Sequence, residues 1–82
     1  MINEATTTEQ RHTHGLLEIA IQSLPQDGYV VETFADRIGI APSVLMQIFR
    51  GDYVPDATCE YLVAMFKEHC PNAWRDAMEI CY

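Results

Sequence analysis

Apolar residues recur at helical intervals along most of the chain. Leu17, Ala20, Ile21 and Leu24 repeat at three- and four-residue steps and make one stripe of a first helix. Thr6-Thr7-Thr8-Glu9 has the form of a capping box, a hydroxyl followed three residues later by a carboxylate. The helix is expected to open there, weakly because of Gly15, and to be firm from about Leu16 to Leu24. Pro25 stops it, and Gln26-Asp27-Gly28 reads as a turn. Val31, Phe34, Ala35 and Ile38 predict a short second helix closed by Gly39, a residue that accepts a left-handed backbone. Pro42 suits the first position of a third helix, which Val44, Leu45, Ile48 and Phe49 carry to Gly51. After the loop Asp52-Tyr53-Val54-Pro55, Asp56 is placed to cap a fourth helix with Cys59, Leu62, Val63, Phe66 and Cys70 on its inner face. Pro71 interrupts, and Asn72 is placed to cap a last helix bearing Trp74, Ala77, Met78 and Cys81. No segment alternates apolar and polar residues, so the expected fold is all-α, a compact domain of four to five helices.

Length agrees with a single core: 82 residues, 49% apolar and 21% charged, is globular composition for one small domain. No apolar run approaches the span of a bilayer, and no secretory leader pattern or glycosylation signal occurs. Three cysteines without a Cys-x-x-Cys pair are few for a disulfide scaffold, so the reducing cytoplasm is expected and the thiols are read as small buried apolar groups. A metal site using Cys59, Cys70 and a histidine has no recognised ligand spacing. Charge changes the picture more. Twelve acids against five bases give −7, and the segment 52–82 holds six acids against only Lys67 and Arg75. No basic tail or stripe exists.

The pattern Ala35-x-x-x-Gly39-Ile40-x-x-Ser43-x-Leu45-x-x-Ile48-x-Arg50-Gly51 resembles the helix-turn-helix of the Cro/C1 repressor family. A small residue at 35 lets two helices cross closely, glycine at 39 takes the corner, and aliphatics at 40, 45 and 48 bury the second helix against the first. The resemblance extends over roughly residues 15–68 and implies a lambda-repressor-like domain. It divides the chain into an N-terminal segment 1–14, partly helical or frayed, a helix-turn-helix domain 15–70 with its motif at 31–51, and a C-terminal helix 71–82.

In that family the second motif helix lies in the major groove with its early residues at base edges. By position these are Pro42, Ser43, Val44, Met46 and Gln47. Ser43 and Gln47 offer hydrogen bonds, glutamine in bidentate fashion to adenine, and Val44 offers a methyl to thymine. Arg37 and Arg50 are candidates for phosphates, with the competing expectation that Arg50 pairs with Glu32 or Asp36. Val31 stands where the family often has a phosphate-supporting glutamine. The resemblance thus implies a small regulator binding duplex DNA as a homodimer. The acidic balance supports an alternative, a module that binds a protein partner (an inhibitor, anti-repressor or antitoxin-like protein) through Val44, Met46, Tyr53 and its carboxylates. The stripe Trp74, Met78, Cys81 and Tyr82 is the expected dimer contact.

Enzymatic chemistry finds no support in the sequence. His12 and His14 are two apart and do not share a helical face. His69 and Cys70 are adjacent and point in different directions, with no third group to orient them. Neither a glycine-rich phosphate loop nor a paired-carboxylate site occurs, and no cofactor is expected.

Overall fold

A computed structural model describes residues 4–81, with side chains from 12 to 80. The described residues form five α-helices and no strand: α1 (Glu4–Gln22), α2 (Val31–Ile38), α3 (Pro42–Phe49), α4 (Asp56–His69) and α5 (Pro71–Cys81). One turn of 3₁₀ helix, Leu24–Asp27, follows α1 with Pro25 in its first turn. The all-α expectation holds, and the two helices predicted at 31–38 and from Pro42 form where the periodicity placed them.

α1 is the axis of the domain. It packs most extensively against α5 and also touches α3 and α4. Leu17 and Ala20 are fully buried on α1, Phe34 and Ala35 on α2, Leu45 and Ile48 on α3, Leu62 and Phe66 on α4, and Ala73 and Ala77 on α5. Phe66 links the parts. Its ring lies 4.6 Å from Phe34 and 6.3 Å from Trp74, centroid to centroid, so one side chain of α4 touches both α2 and α5.

Several local expectations need correction. α1 is already helical at Glu4, so Thr6-Thr7-Thr8-Glu9 lies within it and does not open it. Asp56 is the first helical residue of α4 and Pro55 occupies the capping position, so the carboxylate sits in the first turn, where it suits the positive end of the dipole. Asn72 does not cap α5, because that helix starts at Pro71, where the absent N–H is no loss. The cap comes from 45 residues away: the Asp27 carboxylate accepts the backbone N–H of Asn72 at 3.4 Å and of Ala73 at 2.8 Å. The Asn72 side-chain amide also donates to Asp27, at 3.0 Å.

The apolar faces shift too. Phe49 is exposed rather than inside, while Leu16 and Val54 are core residues outside the predicted stripes. On α5 the inward face is Ala73 and Ala77; Trp74 is half-buried and Met78 exposed. Alanine lets helices pack closely, so α5 meets α1 through its small residues and leaves its larger ones at the edge.

Candidate nucleic-acid interface

Residues 31–51 form two short helices and a corner. At the start of α2 the Thr33 hydroxyl accepts the Val30 N–H and donates to the Val30 carbonyl, both at 3.0 Å, which satisfies one of the otherwise orphaned donors. At its end Gly39 adopts φ 76°, and the Ile40 N–H reaches back to the Ala35 carbonyl at 3.0 Å. That left-handed glycine with a six-to-one hydrogen bond is a Schellman motif, which turns the chain sharply at low steric cost. The Tyr61 hydroxyl donates to the Ile38 carbonyl at 2.5 Å and ties the corner to α4.

Pro42 then opens α3. Only Leu45 and Ile48 of this helix are fully buried; Val44 is half-buried against the core. Pro42, Ser43, Met46, Gln47, Phe49 and Arg50 are exposed. The expected base readers Ser43 and Gln47 therefore face solvent, as do Met46 and, at 72% exposure, Tyr53. Val44 is less available than its sequence position suggests. Phe49 joins the exposed apolar positions of this helix, a placement that its helical spacing with Leu45 and Ile48 hides.

Arg37 is exposed on α2 and has no ion-pair or hydrogen-bond partner among the described residues. Arg50 is paired, but not with Glu32 or Asp36. Its Nε and Nη2 donate to one oxygen of Asp52, at 3.3 and 3.0 Å. A second Schellman motif explains the partner. Gly51 takes φ 85°, the Gly51 N–H donates to the Ile48 carbonyl at 3.0 Å and the Asp52 N–H to the Gln47 carbonyl at 2.8 Å. The reversal carries residue 52 back beside residue 50.

Of the expected dimer stripe, Trp74 is half-buried and stacks on Phe66, and Met78 is exposed. Cys81 and Tyr82 lie outside the residues whose side chains are described. Ile80, absent from the predicted stripe, is 62% exposed and the most solvent-facing aliphatic of α5.

Two thiols, Cys59 and Cys70, lie on α4 and at its C-terminal cap. Cys59 and Cys70 are both buried and free, as read from the sequence. Cys59 Sγ lies 3.3 Å from His14 Nε2, a cross-helix contact that sequence spacing does not reveal. Burial, then the charges of Asp56 and Glu60, push its pKa up. Burial and, secondarily, Asp27 push Cys70 up to about 12. Both stay protonated at neutral pH, the opposite of an activated nucleophile. Among the described residues no three His, Cys, Asp or Glu side chains are arranged to hold a metal ion, and no helix is long and apolar enough to cross a membrane.

No family model, curated protein or solved structure matches this chain.

Proposed function

We propose that the chain is a small regulator of transcription of the Cro/C1 type, binding duplex DNA as a homodimer with α3 in the major groove. One observation carries this reading: α3 follows a glycine corner and is fixed by Leu45 and Ile48, while Ser43 and Gln47 on its outer side meet solvent. Ser43 and Gln47 read base edges, Gln47 preferring adenine. Val44 supplies a methyl for thymine from its half-buried position. Arg37 and Arg50 reach phosphates. With five bases per chain the electrostatic share of affinity is small, and pairing two copies doubles it. The homodimer forms through α5, where Met78 is exposed one helical turn from the half-buried Trp74. Cys81 and Tyr82 follow them in sequence.

Fluorescence anisotropy with a mixed-sequence duplex tests the reading at about 50 mM salt, where counterion release favours binding most. Binding by about micromolar protein, weakening steeply as salt rises, is expected; its absence sinks the proposal. Sedimentation of Met78→Glu should show a shift toward monomer.

A second reading is favoured by the apolar exposure of Met46, Phe49 and Tyr53 together with the neutralised Arg50. In it the same face binds a protein, and the carboxylates occupy a basic groove of that partner. A chain that ignores duplex DNA at low salt and binds a basic nucleic-acid-binding protein through Met46, with loss in Met46→Asp, belongs to this second class.

A further inference from the structure

We infer that Asp52 is an electrostatic latch on Arg50, withholding from α3 the phosphate contact that Arg50 would otherwise make. The inference rests on the DNA-binding reading and adds a regulating residue to that face. Two local facts build it. The Schellman hydrogen bonds at Ile48 and Gln47 fix the backbone of residues 51 and 52, so the carboxylate is held at the Arg50 guanidinium by the helix ending itself. Both guanidinium donors used, Nε and Nη2, converge on a single Asp52 oxygen at 3.3 and 3.0 Å.

An acid is an odd residue for this place. It stands just past the C-terminal end of α3, where the negative end of the helix dipole repels it. Its ion pair is solvent-exposed, with side-chain exposures of 61% and 55%, and exposed pairs contribute little to folding. Fold stability therefore gives Asp52 little reason to be acidic. Its effect on the charge of the face is large by comparison. Among the described side chains the motif holds two cations, Arg37 and Arg50, and Asp52 cancels one of them. A phosphate approaching Arg50 must displace a carboxylate and then tolerate it nearby.

Asp52→Asn removes the charge and keeps the shape. Anisotropy titrations with a mixed-sequence duplex of about two helical turns, between about 50 and 200 mM salt, compare the wild type, Asp52→Asn, Arg50→Gln and the double variant. Asp52→Asn should bind on the order of tenfold more tightly at the low end. Its plot of log affinity against log salt should steepen by about 0.9 per protomer, the increment for one more phosphate neutralised. The steepening must vanish in the Arg50→Gln background, since the latch acts through Arg50. If wild type and Asp52→Asn bind equally with equal slopes, the latch is wrong and the DNA-binding reading stands. A slope change that persists without Arg50 also overturns it, as general charge removal. No binding by any of the four proteins overturns the DNA reading and the latch together.

Discussion

The α1–α5 side of the domain and the α3 side are held in different ways. Where α5 meets α1 and the 3₁₀ turn, packing is reinforced by polar ties across more than 40 residues of sequence. Asp27 caps α5, and Asp76 accepts from the Ser23 hydroxyl at 2.9 Å and the Gln26 amide at 3.2 Å. No side-chain hydrogen bond joins α3 to another helix among the described residues; Leu45 and Ile48 anchor it by burial. Directional ties fix one arrangement of helices, whereas burial of two aliphatics fixes position and leaves the outer surface free to vary. The first side is a scaffold and the second a display.

The severest way to break this contrast is to remove the residue through which α4 links α5 to α2, the helix that precedes α3. Phe66→Ala should cost about 3–5 kcal/mol, the range for losing a buried aromatic. Trp74, the single tryptophan, stacks on Phe66 and reports on the scaffold, while far-UV circular dichroism reports all helices. Urea transitions followed by the two signals should coincide in the wild type. If they separate, the display side unfolds on its own and the domain is not one cooperative unit.

Asp27→Ala tests the scaffold alone. It removes a cap whose loss costs about 1–2 kcal/mol and leaves the Asn72 and Ala73 N–H groups without that acceptor. The same substitution at the exposed Asp36 of α2 should change the urea midpoint far less. Equal effects at the two sites would remove the distinction between tied and untied regions.

The sequence exposes what is local and hides what is not. α2, the Gly39 corner, Pro42 and the buried pair Leu45 and Ile48 are legible because helical spacing, glycine and proline act over a few residues. Asp27 as the cap of α5 is illegible, since nothing near Asn72 announces an acceptor in another turn. Val54 reads as loop because its neighbours are Asp52, Tyr53 and Pro55, yet it is fully buried. Sequence position points Arg50 to Glu32 or Asp36, one helix away, but its partner is neither. It lies two residues ahead, because a left-handed Gly51 folds the chain back. For α5, size was the misleading cue: the larger side chains suggest the stripe, but close approach to α1 selects Ala73 and Ala77.

Cys70 offers a chemical probe of the same scaffold. Its pKa is raised from the ordinary 9.0 to about 12 by burial and Asp27. Above pH 9 the unfolded chain releases the thiol proton and the folded chain keeps it, so this group's contribution is complete below pH 9 and is lost progressively up to about 12. Between pH 8 and pH 10 the loss should be on the order of 1 kcal/mol. Urea midpoints of Cys70→Ala, compared at the same two pH values, should decline less by that amount. Parallel declines would mean that the folded thiol ionises as freely as the unfolded one.

The smallest effect on stability belongs to the display side. Gln47→Ala replaces an exposed side chain of α3 that makes no hydrogen bond among the described residues, so the urea midpoint should move by less than about 0.5 kcal/mol in free energy. Alanine has the higher helix propensity, which places the small change on the stabilising side. On the proposed DNA-binding reading, a duplex selected for tight binding to the wild type should lose discrimination at one base pair in this variant, by about 1–3 kcal/mol. Stability unchanged with discrimination lost is the signature of a residue kept for what it touches outside the molecule. A loss of stability without a change in binding would make Gln47 part of the scaffold, and α3 would then have no free face to offer a groove.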